Sequence, residues 1–219
     1  MEWTPELINR IMKTDPAAYG HFPGVSFMMP RIKPLAPEMK VVGLAYTARI
    51  LGKDSCAMYK AIQEAPQVLV IDRAGDEVYA CVGEMVARSA KGRGLAGIVI
   101  DGPATDSVWI GRMGFPVFCA GISVATTNVW GLSGQYNIPV NCGGAVVHPG
   151  DIVFGDADGV IVMPMDHCKS YLEKAEAAAI REVKMRKEFE AGRIPIKSVD
   201  SLMETNMEQV VADIRARKD

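Results

Sequence analysis

From Val41 to Cys119 the chain alternates short apolar runs with amphipathic stretches, and this alternation constrains the fold more than any other feature. Val41–Leu51 reads as a strand, Ser55–Glu64 as a helix and Gln67–Asp72 as a buried strand. A helix at Glu84–Lys91, a strand at Gly97–Asp101, a short helix at Thr105–Met113 and a strand at Pro116–Cys119 continue the series. Strand and helix alternating at this spacing argue for an α/β core.

On either side the texture changes. Thr4–Lys13 carries Leu7, Ile8, Ile11 and Met12 at helical spacing, with Thr4 as N-cap and Pro5 in the first turn. Residues 14–39 hold Pro16, Pro23, Pro30, Pro34 and Pro37, too much proline for a helix or a central strand, and are expected to form an irregular arm. Asn128–Pro139 is loop-like, and Ala145–Met163 is β-rich with hairpin turns at Pro149-Gly150 and Asp156–Gly159. Helices are expected from Asp166 to about Ala191 and over Leu202–Ala216. The expected organisation is an N-terminal helix and arm at 1–40, a core domain at 41–165, and C-terminal helices at 166–219 packing on the core or a neighbouring subunit.

Composition removes several functional classes. With 24 basic and 26 acidic residues, a net charge of −2, the 219-residue chain has no electrostatic footprint for nucleic acid. Apolar runs such as Val68–Ile71 and Ile98–Ile100 are strand-sized, far short of the roughly 20 residues of a membrane span. Cys56, Cys81, Cys119, Cys142 and Cys168 are scattered and form no CxxC pair, and the opening Met-Glu-Trp-Thr-Pro-Glu has no signal-peptide character. A cytoplasmic chain with reduced thiols is expected.

Three motifs carry possible chemistry. Gly92-Arg-Gly94-Leu-Ala-Gly97 matches GxGxxG, but a helix precedes it and a strand follows, the reverse of a dinucleotide-binding turn. These glycines instead end a helix and turn the chain. Gly83 opens a helix whose first backbone N–H groups can hold a carboxylate or phosphate, although by local sequence alone an ordinary helix start, with Glu84 complementing the helix dipole, is the favoured reading. Asp101 and Asp106 flank the end of a buried strand and suit either a hydrated divalent cation or, as plainly, a strand end and a helix cap. His21, His148 and His167 have no partner at ligand or triad spacing, and Gly150–Gly159 lacks the ligand spacing of a calcium loop.

Taken in order, Val41–Arg49, Pro66–Asp72, Gly83-Glu-Met, Arg93–Gly102, Gly114–Phe118 and His148–Val162 resemble the family of 4-hydroxy-4-methyl-2-oxoglutarate aldolases and regulators of ribonuclease E activity. The resemblance covers roughly residues 40–190. It implies an α/β/α sandwich of the swivelling phosphohistidine-domain type with a helical C-terminal tail. It also implies a homotrimer or hexamer with active sites between subunits.

For the site, the resemblance implies Mg2+ or Mn2+ at Asp106, with Glu84 placing the metal's water or moving a proton. Gly83, Met85 and Val86 would hold the carboxylate of a small 2-oxo or hydroxy acid. The family's catalytic arginine is replaced by Thr105 and its second acidic residue by Trp109, so catalysis is assigned to Glu84, Thr105 and Asp106, with Trp109 in substrate binding. The expected activity is a metal-dependent carbon–carbon lyase of aldolase or decarboxylase type. A different reaction on a small carboxylate (hydration, isomerisation or hydrolysis) and a non-catalytic regulator are the alternatives.

Overall fold

The computed structural model describes residues 2–193 apart from Pro66. Its strands are β1 (Ser26–Phe27), β2 (Lys33–Pro34), β3 (Val41–Arg49), β4 (Val68–Asp72), β5 (Gly97–Ala104), β6 (Val117–Ile122), β7 (Gln135–Tyr136), β8 (Val140–Cys142), β9 (Ala145–Val147), β10 (Ile152–Asp156) and β11 (Gly159–Met163). Its helices are α1 (Pro5–Met12), α2 (Cys56–Glu64), α3 (Glu84–Gly92), α4 (Ser107–Met113) and α5 (Cys168–Glu190). The strand–helix series expected from Val41 to Cys119 is present, and α3 ends at the GxGxxG glycines before β5 begins. Thr4 caps α1 through its hydroxyl, 3.2 Å from the Leu7 N–H.

The main sheet runs β1-β11-β10-β3-β4-β5-β6-β2, with β7 also on β3. The strands β3 to β6 are parallel, and β10, β11 and the arm strands add antiparallel. Alternation along each strand sorts the side chains onto two faces. Val42, Tyr46 and Ala48 face helices, as do Leu69 and Ile71 of β4 and Ile98 and Ile100 of β5. The helices of the first 176 residues stand on this face: α2, α3 and α4 pack over β3–β6, and α1 and the first turns of α5 (Cys168, Tyr171, Leu172 and Ala175) over β10, β11 and the start of β3.

The other face carries no helix among the described residues. Val41, Ala45, Val70, Val99, Phe118 and Val153 meet there with the β8–β9 hairpin and with Met28 and Ile32 of the arm. The sheet curls so far that a Cβ on Gly155 of β10 would lie 3.1 Å from the Phe118 ring of β6, with three strands between them in the sheet order. This corrects the expected α/β/α layering. Strand twist accumulates across the wide sheet, and the concave side closes on a second β layer that leaves no room for helices.

The hairpin turns also divide. Asp156 and Gly159 close the β10–β11 hairpin as expected. Pro149-Gly150 does not make one, because β9 pairs with β8 and the turn carries the chain across to β10 in the main sheet. The chain divides into two compact units, Met1–Glu176, which holds the sheet, and a second beginning at Ala177 within α5. The expected helix at Leu202–Ala216 lies outside the described residues. All five cysteines are free and four are buried, and among the described residues no helix is long and apolar enough to cross a membrane.

Candidate functional site

The parallel order of β4 and β5 brings the start of α3 beside the end of β5. Gly83, in extended conformation at φ −125°, is the N-cap of α3 but has no side chain to cap it. Asp106 does that work: its Oδ2 accepts the Glu84 N–H at 2.9 Å. A carboxylate here also complements the positive end of the helix dipole. The approach depends on glycine, because a Cβ at position 83 would lie 2.6 Å from Asp106 Oδ2 and 2.8 Å from Thr105 Cγ2.

Asp106 itself takes the left-handed conformation (φ 55°, ψ 34°) at the start of α4, a region that Asp tolerates better than most residues. Thr105 anchors it from the other side, donating its N–H to the Val82 carbonyl at 2.9 Å while Val82 pairs with Ala104. The Asp106 carboxylate is thus fixed at both ends of a short loop. First-turn N–H groups of α3 have no partner within the helix. With the Glu84 N–H committed to Asp106, those of Gly83, Met85 and Val86 remain for a ligand.

These groups share a cavity of about 180 Å³. Gly83, Met85, Val86, Thr105 and Asp106 line it, five of the seven residues expected from the sequence. The other two stand apart. Glu84 turns its carboxylate along the helix to Arg88, 2.8 Å away. Trp109 is half-exposed on α4, where the Arg112 guanidinium lies 5.1 Å from its ring centre.

Sequence reasoning missed the remaining wall. Ser55, the N-cap of α2, Tyr59 within α2, and Thr126, Thr127 and Val129 form much of it. The segment around Thr126 is delivered by a bridge to Ala80, whose N–H reaches the Ala125 carbonyl at 2.8 Å. No local pattern announces that pairing. Cys81 lines the cavity too, and burial pushes its thiol up to about 11, so it stays protonated at neutral pH.

Asp101 does not join Asp106. It points to the concave face, accepting the Gly143 N–H at 2.8 Å and meeting Arg31 at 2.6 Å. Among the described residues no group of three or more His, Cys, Asp or Glu gathers around a metal position. The donor set is therefore a single carboxylate with one oxygen held by a backbone N–H. That suits Mg2+ or Mn2+, which keep most of their waters on one or two carboxylates, and does not suit a cation needing an all-protein cage.

Residues 14–162 match the family model "RraA-like: Aldolase/RraA". The chain is 39% identical over 155 residues to a Halalkalibacterium halodurans protein named "Putative 4-hydroxy-4-methyl-2-oxoglutarate aldolase", covering 70% of this chain and 73% of that one. Streptomyces coelicolor RraAS2, an unusual member of the RNase ES inhibitor RraA family, superposes with a TM-score of 0.72 at 26% identity, covering 85% of this chain and 98% of that one. The RNA-processing inhibitor RraA from Thermus thermophilis shares the fold, with a TM-score of 0.61 at 23% identity, over 75% of this chain and 94% of its own.

Proposed function

This chain belongs to the RraA-like family, and we propose that it is a divalent-metal-dependent carbon–carbon lyase acting on a small 2-oxo or hydroxy carboxylic acid. One observation carries the reading: Asp106, locked by the Glu84 N–H, shares a cavity with Thr105 and the start of α3. Asp106 would hold Mg2+ or Mn2+, which when bound supplies Lewis acidity to the 2-oxo oxygen.

The chain's own groups do the rest. The Gly83, Met85 and Val86 N–H groups bind the substrate carboxylate at the positive end of α3. The Thr105 hydroxyl donates to the 2-oxo oxygen, where enolate charge develops. Glu84 acts through its backbone, holding Asp106, while its side chain is engaged by Arg88.

In the retro-aldol direction the C3–C4 bond of a 4-hydroxy-2-oxo acid breaks. The 4-hydroxyl proton leaves to water as C4 becomes a carbonyl, the bond pair passes to the pyruvate enolate, and C3 then takes a proton. Thr105 supplies a neutral donor where the family pattern has a cation. Losing one preorganised donor costs of order 10²–10³ in rate, so slow turnover is expected.

The test is pyruvate release from 4-hydroxy-2-oxopentanoate and from oxaloacetate, with and without Mg2+ or Mn2+, in the wild type and Asp106→Asn. Metal-dependent release that falls at least about 100-fold in the variant is expected. No metal-dependent release from either compound by the wild type overturns the reading. Thr105, and a cavity lined by no cationic side chain among the described residues, favour a second reading: another reaction on a small carboxylate. Oxo-acid binding without bond cleavage would select it.

A further inference from the structure

We infer that Asp54 is a positioning residue for the cavity beside Asp106: its carboxylate latches the segment that carries Thr126, Thr127 and Val129 to the start of α2. The inference rests on reading that cavity as the ligand site, and every contact it uses is made within one chain. Residues 123–134, between β6 and β7, belong to no helix or strand. Their place against α2 comes from specific bonds.

Asp54 is 3% exposed and does not line the cavity. Its Oδ1 accepts the N–H groups of Cys56 at 3.1 Å, Trp130 at 3.1 Å and Gly131 at 3.3 Å. Its Oδ2 accepts those of Leu132 at 2.6 Å and Ser133 at 3.0 Å. Of these donors Cys56 alone belongs to α2, whose N-cap is Ser55; the others all hold the segment. Among the described residues, the N–H groups of 130–133 have no acceptor but Asp54. A buried carboxylate is costly unless its oxygens are bonded, and most of the bonds that satisfy this one come from the segment.

The same junction reaches the cavity wall. The Asn128 N–H donates to the Lys53 carbonyl at 2.7 Å, and the Asn128 carbonyl accepts the Ser55 N–H and hydroxyl, each at 2.9 Å. Val129 lies between Asn128 and Trp130, both tied to residues 53–55, and Ala80 holds Thr126 and Thr127 on the other side. Ser55 and Tyr59 therefore keep their spacing from Thr126, Thr127 and Val129 through Asp54. An amide in place of the carboxylate turns an NH2 toward N–H donors. At least two of them then lose their acceptor, and the segment is freed from α2.

The test compares full-length wild type, Asp54→Asn and Phe118→Ala with Mg2+ present, by calorimetric titration with pyruvate and by hydrogen exchange at residues 130–133. Phe118→Ala lowers stability from the concave face without touching the segment. Exchange at 130–133 is expected to be slow in the wild type and at least about tenfold faster in Asp54→Asn. Pyruvate affinity is expected to fall at least about tenfold in Asp54→Asn, while Phe118→Ala keeps both within about twofold of the wild type. An Asp54→Asn protein that binds pyruvate as the wild type does overturns the inference, as does a Phe118→Ala protein that loses as much affinity. Two wild-type results overturn it even where Asp54→Asn does not fold: no binding of pyruvate, or exchange at 130–133 as fast as in an unstructured chain. If the expected pattern is found while neither 4-hydroxy-2-oxopentanoate nor oxaloacetate releases pyruvate, the lyase reading fails and the positioning role stands.

Discussion

A Cβ at position 83 would sit 2.6 Å from Asp106 Oδ2, yet the backbone there, at φ −125° and ψ −171°, is one any residue adopts. Gly83→Ala therefore separates folding from function. The carboxylate is pushed off the Glu84 N–H, and displacements near 1 Å in such a site can cost on the order of 100-fold. Affinity for pyruvate is expected to fall at least about tenfold, while the melting temperature drops by only about 2–4 °C. Calorimetry and a thermal melt on the same sample check both halves. A second residue, Asp54, makes a pH prediction. Burial alone would raise its pKa, but the N–H groups of Trp130, Leu132, Cys56 and Ser133 outweigh burial and hold it well below the carboxylate range. The unfolded carboxyl titrates near 3.9, so this stabilisation is present above about pH 4 and is lost as pH falls toward the folded-state value. Melting temperatures of the wild type and Asp54→Asn are expected to differ at pH 7 and to converge below about pH 4.

The elements differ in how far the sequence announces them, and the reason is where each finds its partners. The strands β3 to β6 and helices α2 to α4 carry their period within their own residues, so their ends shift by three residues at most between reading and structure. In contrast, β7 has two residues and β8 three, and they exist because β3 and β9 pair with them. The same holds for the site. Gly83–Val86 and Thr105–Asp106 were legible through the family spacing, whereas Thr126 and Thr127 arrive by a bridge to Ala80. The curl of the sheet was the least legible feature, since it depends on Phe118 of β6 reaching Gly155 of β10. Phe118 is fully buried in that contact. Its replacement by Ala is expected to cost about 3–5 kcal/mol, read as a melting temperature lower by about 10 °C. A loss of 1 kcal/mol or less would show that the concave face is held together elsewhere.

At the scale of the molecule, the cavity lies among apolar side chains that water faces in one chain alone. Val124 is 96% and Leu132 81% exposed, and Met85, Trp109, Val129 and Trp130 are more than half exposed. Exposed apolar groups of this kind are what the assembly implied by the family resemblance would cover. The segment from Ile122 to Leu132 that carries several of them also supplies Thr126 and Thr127 to the cavity wall. Assembly through this surface would therefore close the cavity as it forms. The wild type is expected to sediment as a trimer or hexamer at micromolar concentration, and Val124→Glu with Leu132→Glu to sediment as smaller species. A wild type that is monomeric under these conditions contradicts the proposal. The two kinds of variant distinguish architecture from chemistry. Asp106→Asn should keep the assembly and lose metal-dependent pyruvate release, whereas the charged pair at 124 and 132 should lose both together, because a cavity left open to solvent no longer excludes the water that competes for its N–H donors.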